Sequence, residues 1–424
     1  MIRISRYGEV PKEELFARRG TAVNVEQTVA DIIAEVVRRG DAALLDYTER
    51  FDRVRLERLE VTEAEFDEAM AAVEPAFLEV LREAAENIRA YHSRQKRENY
   101  IMEGRDGVLL GMKITPIEKV GLYVPNGTAP YPSTVLMDAI PARIAGCSEL
   151  VMVTPPSKDG RVDAGILAAA RVAGIDRVFK VGGAQAIAAL AYGTESVPAV
   201  YKIVGPGNAY VAEAKRQVYG RVAIDVVAGP SEILVVADGA SDARVVAADM
   251  LAQAEHDRLS TAVLATDSMA LAEAVQAELE RQLETLPRRE IARASIEDNG
   301  RIIVCGSIAE AVEIANEIAP EHLELCVDEP FAYLGRVKNA GSVFLGRNAP
   351  EALGDYMAGP NHTLPTGGIA KFASPLSVDD FVKKSQFTYY TKDALAGVAE
   401  KIARFARMEE LEGHARSALA RFEK

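Results

Sequence analysis

"YKIVGPGNAYVAEAKRQV", residues 201–218, changes character twice. A short apolar run gives way to Gly205-Pro206-Gly207-Asn208. The chain then continues with apolar residues three and four apart. Strand, small-residue turn and helix in succession form half of a βαβ unit. The same grammar surrounds it. "KVGLYVP" (119–125), "ELVMVTPP" (149–156), "RVFKVGG" (177–183) and "AIDVVAGPSEILVVAD" (223–238) are strand-like runs that end in Gly or Pro, and most lead into helix-like stretches. The pattern returns at "TAVLATDS" (261–268), "RIIVCGS" (301–307), "LELCV" (323–327) and "GSVFLG" (341–346). Near-continuous apolar runs are what a sheet buried on both faces requires. The reading is α/β, with two parallel-sheet modules and one inserted in the other over residues 119–231.

The flanks are helical in pattern. "VEQTVADIIAEVVRRGDAALLDYTERFD" (25–52) and "EAEFDEAMAAVEPAFLEVLREAAENIRAYHSRQK" (63–96) are amphipathic, and residues from about 372 onward turn helical and charged again. The expected division is a helical N-terminal segment (1–22), a discontinuous first α/β domain (23–118 and 232–371), an inserted second domain (119–231) and a helical C-terminal tail (372–424).

Bulk composition narrows the function. The 424 residues suit two or three domains, and the net charge of −14 without a long basic run argues against nucleic acid and anionic membranes. Three cysteines far from CxxC spacing imply no disulfide framework. With no apolar leader and no membrane-length apolar run, the expectation is a soluble, cytoplasmic protein.

No G-x-G-x-x-G is present. Two looser turns, at Gly182-Gly183 and at Gly205-Pro206-Gly207, each open a helix, where free N–H groups favour phosphate. Tight connection alone would also explain them. The loop "GLYVPNGTAPYPSTVLM" (121–137) is stiff with Gly and Pro, and Tyr123 in it could lie flat against a planar ligand.

The five histidines carry the chemistry. His92, in the amphipathic stretch, reads as a surface or helix-end residue. On "SDARVVAADMLAQAEHDRL" (241–259), a helix capped by Ser241 or Asp242, Gln253 and His256 share a face with Asp249. Spacing alone prefers Asp249 to Gln253 as a metal ligand, because an amide binds zinc weakly. Asp355 and His362 lie in "LGDYMAGPNHTLPTGG" (353–368). Glu409, Glu410 and His414 lie in "MEELEGHARSAL" (408–419), where a break at Gly413 would let Glu409 and His414 converge. "IAPEHLELCV" (318–327) sets Glu321 beside His322 at a helix–strand joint. Four of the five histidines adjoin a carboxylate or amide, which favours a metal-assisted enzyme over a binding module.

The blocks "GLYVPNGTAPYPSTVLM", "VGGAQAIAALAYGT", "KIVGPGNAYVAEAK", "AGPSEILVVAD", "LAQAEHD", "APEHLEL", "GDYMAGPNHTLPTGG" and "EGHARSAL" occur in the order seen in histidinol dehydrogenase. The chain resembles that family from about residue 20 to its end. One departure is Asn126, where the family usually has Gly. The resemblance implies two Rossmann-like, incomplete, aldehyde-dehydrogenase-like sheet domains. It also implies a zinc-dependent homodimer with intertwined C-terminal tails, which oxidises L-histidinol to L-histidine through histidinaldehyde in two NAD-dependent steps.

Carried onto this chain, the zinc ligands would be Gln253, His256, Asp355 and His414, the last from the partner subunit. That set overrules Asp249. Ser231, His322, His362 and Glu409 would line the substrate pocket with the ligands, and Tyr123, Gln185 and Asn208 would contact NAD. His322 would be the base for both oxidations, and Glu321 would activate the water that adds to the aldehyde. A thiohemiacetal on Cys326 is the alternative for the second oxidation. Rival readings are a relative oxidising another alcohol, such as a sulfonated propanediol, a zinc hydrolase using Glu321, and a non-catalytic scaffold.

Overall fold

The computed structural model describes residues 1–18, 24–126 and 129–423. The expected boundary at 22/23 and part of the loop 121–137 lie outside the described residues. The chain forms two compact units, Met1–Gln95 with Glu118–Phe381, and Lys96–Ile117 with Val382–Lys424.

The first unit holds both parallel sheets. One has six strands, in the order Arg3–Arg6, Arg301–Val304, Thr261–Thr266, Glu232–Ala237, His322–Cys326, Ser342–Leu345. Every pairing in it is parallel. The inner strand Glu232–Ala237 shows why its sequence is continuously apolar. Ile233, Val235 and Ala237 enter the core beneath the helices Ala243–Ala254 and Met269–Leu283. Leu234 and Val236 enter the core beneath the helix Ile308–Ile318 on the other face. Burial on both faces removes the usual polar alternation.

The second sheet has five parallel strands, ordered Arg177–Lys180, Glu149–Thr154, Lys119–Tyr123, Lys202–Val204, Ala223–Ile224. Its first strand in sequence is central. The chain builds outward to one side, then crosses to the other, so the strand order reverses between Lys119–Tyr123 and Lys202–Val204. In open parallel sheets the crevice at such a reversal, outside the carboxyl ends of the strands, is where ligands bind. Gly205 follows the second of these strands with φ +116°, and a Cβ there would sit 2.1 Å from the Tyr123 carbonyl oxygen. Only glycine lets the two strand ends approach this closely.

The helices Glu26–Arg39 and Asp41–Phe51 cover this second sheet. Val29, Ile32, Ile33, Val36, Ala43 and Leu44 share one core with Ala184, Ile187, Leu190 and Val211. Their packing thus differs from the expected grouping of residues 23–118 with 232–371. His92 ends the helix Pro75–His92, but it is fully buried rather than at the surface, with Nδ1 bonded to Gln95 Oε1 at 2.8 Å.

In the second unit an antiparallel sheet is ordered Val382–Tyr390, Val108–Pro116, Tyr100–Glu103. The C-terminal tail therefore begins with a strand, not a helix, paired to a segment far back in sequence. The helices Lys392–Met408 and Glu412–Leu419 follow and pack through Ala403, Ala406, Ala415 and Leu419. The break between them falls at Glu410, with φ +61°, and not at Gly413, which lies inside the second helix.

Gly205→Ala is expected to cost about 2 kcal/mol or more, because backbone strain and a collision with Tyr123 arise together. Urea denaturation of the variant measures it, and an unchanged midpoint would mean the crevice is looser than its geometry.

Candidate active site

The helix Ile308–Ile318 ends at Ala319, which takes left-handed backbone angles, φ 53° and ψ 64°. Pro320 then prevents its continuation. That turn delivers Glu321 and His322 to the amino end of the strand His322–Cys326, beside Glu232 on the neighbouring strand. Glu232 holds both side chains through its own backbone. Its N–H donates to Glu321 Oε2 at 2.8 Å, and its carbonyl accepts from His322 Nδ1 at 3.0 Å. The second bond places the ring proton on Nδ1 and leaves Nε2 as the lone-pair nitrogen, which is buried without a partner among the described residues. Burial pushes the His322 pKa down to about 4, against the opposing charge of Asp355. Burial raises the Glu321 carboxyl well above its ordinary range, and the charges of Glu232 and Asp355 add to this.

A donor cluster adjoins this pair. One ligand atom each from His256, Glu351 and Asp355 lies within 4.8 Å of the others. Glu351 and Asp355 are one turn apart on the helix Glu351–Tyr356, so they share a face. His256 lies just past the helix Ala243–Ala254, which Asp242 caps. The Gln253 side-chain amide lies among Glu232 O, His322 Nδ1 and Glu351 Oε1, at 3.2, 3.0 and 3.0 Å. His362 approaches the cluster, with Nδ1 3.7 Å from Asp355 Oδ1. An imidazole and two carboxylates converging beside an amide fit a zinc ion.

Of the expected site residues, the fold brings together Gln253, His256, Glu321, His322, Asp355 and His362. Ser231 directly precedes Glu232. Glu409 and His414 belong to the second unit, one ending the helix Lys392–Met408 and the other inside Glu412–Leu419. Asp249 makes its side-chain hydrogen bond to Glu324 instead of joining the cluster. Glu351 was missed by the sequence reading. Its only signal was an acid four residues before Asp355. A cavity of about 300 Å³, lined by His322, Phe344, Asp355 and His362 among others, opens beside these groups.

The carboxyl edge of the five-stranded sheet carries the other expected residues. Tyr123 is only 3% exposed, so its ring is not free to lie on a ligand; its hydroxyl accepts from Gly183 N at 3.1 Å. Gln185 is buried, and its Oε1 has no partner among the described residues. Asn208 caps the helix Ala209–Val218 by accepting from the amides of Tyr210 and Val211. An unpaired buried amide oxygen, a glycine turn and a strand-order reversal at one edge fit a dinucleotide. Asn126, the departure from the family pattern, donates to Pro155 O at 3.0 Å.

The two regions are tied together. Asn361 Nδ2 donates to Met137 O at 2.7 Å, Thr134 Oγ1 meets His362 Nε2 at 3.2 Å, and the Thr363 hydroxyl donates to Asp138 Oδ1 at 2.9 Å. Thr134, Met137 and Asp138 belong to the helix Pro132–Ala145, which follows the central strand of the second sheet. The loop bearing His362 is therefore held against the half that carries the nucleotide turns.

Two nested parallel sheets, a nucleotide-type crevice and a buried base beside a metal-ligand cluster define a metal-assisted α/β oxidoreductase. The family model for histidinol dehydrogenase matches residues 17–422. The chain is 57% identical over 398 residues to the histidinol dehydrogenase of Geobacillus kaustophilus, covering 94% of each chain. It is 53% identical to that of Bacillus subtilis, covering 96% of each. The crystal structure of histidinol dehydrogenase from Elizabethkingia anophelis superposes with a TM-score of 0.95 at 38% identity, covering all of this chain and 98% of that one. The chain belongs to the histidinol dehydrogenase family, NAD-dependent and zinc-containing oxidoreductases of histidine biosynthesis. A relative specific for another alcohol is not favoured.

Burial, with the charge of Asp225, raises the Asp138 carboxyl from 3.8 to about 8. Between those values the folded state binds more protons than the unfolded one, so this group's contribution to stability falls as pH rises. Asp138→Asn keeps an acceptor for Thr363 and removes the titration. The variant is expected to gain stability relative to the parent between pH 5 and pH 8.5, as measured by urea midpoints. A parallel pH dependence of the two proteins would show that Asp138 is not the titrating group.

Proposed function

We propose that this protein oxidises L-histidinol to L-histidine through histidinaldehyde, with His322 as the base and Glu321 as the group that activates water. The observation that carries this reading is the double backbone clamp of Glu232, which leaves His322 Nε2 bare and fixes Glu321 beside it. NAD, when bound, supplies the hydride acceptor for both oxidations. Zinc, when bound, would be held by Gln253, His256 and Asp355 with His414 of the partner subunit, and supplies a fixed point for the imidazole and amine of the substrate.

The chain's own groups solve two proton problems at one carbon. In the alcohol oxidation, His322 Nε2 takes the hydroxyl proton, and its Nδ1–H bond to Glu232 keeps that nitrogen turned toward the cavity. An aldehyde has no hydride to yield until water adds. Glu321 is placed to take a proton from that water, and the hydrated aldehyde then loses its hydroxyl proton to His322. His362, Ser231 and Glu409 are assigned to substrate contacts. The thiohemiacetal route fits poorly, because Cys326 ends the strand that His322 begins, about 13 Å away at strand spacing, and burial raises its thiol pKa.

We infer a homodimer, because the second unit is poor in core and rich in exposed apolar surface. Ile101, Met102, Tyr389, Phe405 and Met408 are all exposed, Met408 by 82%. Such a surface marks an interface, and a second copy placed there would deliver His414 and Glu409. All three cysteines are free, and no helix among the described residues is long and apolar enough to cross a membrane. Both facts suit the cytoplasm.

With limiting L-histidinol and excess NAD, two NADH per substrate are expected; one would end the assignment at an aldehyde. Glu321→Gln is expected to slow the aldehyde step by roughly 10²-fold or more with a smaller effect on the alcohol step, while Cys326→Ser keeps most activity. A serine variant that accumulates aldehyde would replace the water route with the thiol route. Phe405→Glu with Met408→Glu is expected to give a monomer by light scattering, with activity down roughly tenfold or more. A fully active monomer would remove His414 from the site.

A further inference from the structure

Asp52 is a half-buried carboxylate whose Oδ2 has no partner among the described residues. Burial raises its pKa to about 6. A buried carboxylate oxygen without a donor is costly, and the fold around it shows what it faces.

Two helices fix that location. Asp52 ends the helix Asp41–Phe51, which packs on the helix Gly183–Tyr192 through Ala43 and Leu44. At the start of the first helix, Asp41 Oδ1 accepts from Thr194 Oγ1 at 2.5 Å and from Ser196 N at 3.2 Å. Thr194 and Ser196 lie just past the end of the second helix, so the two helices run antiparallel. Their lengths, 11 and 10 residues, are nearly equal. That course carries Asp52 toward the Gly182-Gly183 turn, close enough for its charge to act on Tyr123, whose hydroxyl accepts from Gly183 N. Beyond it the chain stays at this strand. Val61 N donates to Val178 O, and Leu59 O accepts from Lys180 N.

The opposite side of the turn agrees. Tyr123, whose hydroxyl accepts from Gly183 N, has its pKa raised to about 12 by burial, and the charge of Asp52 adds to that rise. Gln185 Oε1, also without a partner, sits 2.7 Å from where a Cβ of Gly183 would stand. Two unsatisfied acceptors thus flank one glycine turn. Phosphate oxygens cannot satisfy them; hydroxyl groups can. In dinucleotide folds an acid at the end of the next strand accepts from the ribose. Here the strand Glu149–Thr154, beside the central one, runs into Pro155-Pro156 and offers no acid.

We propose that Asp52 is a cofactor-specificity residue, whose carboxylate accepts hydrogen bonds from the vicinal ribose hydroxyls of NAD and whose charge excludes a 2′-phosphate. The proposal rests on the reading of the Tyr123, Gln185 and Asn208 edge as the cofactor side.

Calorimetric titration of the full-length, zinc-loaded protein without substrate separates the two. The probes are NAD, NADP and 2′-deoxy-NAD, applied to the parent, Asp52→Asn and Asp52→Ala. The parent should bind NAD and reject NADP. Each variant should lose about tenfold in NAD affinity, narrow the gap to NADP, and no longer distinguish NAD from its 2′-deoxy form. The isosteric Asn variant should unfold no lower than the parent, because it removes a carboxylate whose charge burial disfavours. Variants that bind NAD like the parent and still reject NADP overturn the role of Asp52. A parent that binds no dinucleotide overturns the cofactor-side reading and this proposal with it.

Discussion

The site depends on a single residue that offers only its backbone. Glu232 opens an inner strand of the six-stranded sheet, and its amide and carbonyl reach across to Glu321 and His322. Those bonds exist because the strands pair in one register, His322 against Ile233 on one side and Ser342 on the other. A slip of one residue would turn the imidazole to the opposite face. The wholly apolar run Ile233–Ala237, packed on both faces, prevents that slip. The placement of the imidazole is thus inherited from core packing, and its Nε2 has no partner among the described residues.

The side chain of Glu232 has a separate task. It forms an ion pair with Arg18, which also donates to Ile318 O at 2.7 Å. The N-terminal segment is thereby bound to the end of the helix that leads into Glu321. On the far side, the loop Asn361–Thr363 is bonded to the helix Pro132–Ala145. Deeper still, Gly205 N donates to Asp225 Oδ2 at 2.8 Å, while Lys215 donates to Gly205 O at 3.0 Å and pairs with Asp225. The Gly205 turn is braced by buried charge, and Asp138 stands between that brace and the loop bearing His362. The two halves of the unit meet through specific polar bonds, which fix geometry in a way that apolar contact alone would not.

Local grammar made the fold class readable. Apolar runs ending in Gly or Pro mark strands wherever they are buried on both faces, and the adjacency of Glu321 and His322 survives any folding. What escaped was non-local. The strand Val382–Tyr390 pairs with Val108–Pro116, and neither segment carries an alternation strong enough to announce the other. The break at Glu410 escaped because a non-glycine residue adopts positive φ there, while the visible Gly413 sits harmlessly in a helix. Glu351 escaped because one acid on a six-residue helix looks like surface until the fold sets it beside His256. Tyr123, read as a loop residue that could meet a planar ligand, ends the central strand of the second sheet and packs in its core.

The acids of the site make an electrostatic argument of their own. Glu321, Glu324 and Glu351 are all buried, and burial raises each carboxyl well above its ordinary range. Glu351 is pushed further by Asp355, Glu321 and Glu324 in turn. Such mutual repulsion is costly in a dry interior, and the ion pair of Arg18 with Glu232 offsets only its edge. A divalent cation held at His256 and Asp355, with Glu351 beside it, would reverse the sign of the local field and favour the charged carboxylates. Its binding energy would then also be folding energy. The acidity of the cluster is therefore what would favour a cation there, and the imidazole beside it is held neutral because the same burial that raises the carboxyls disfavours an imidazolium.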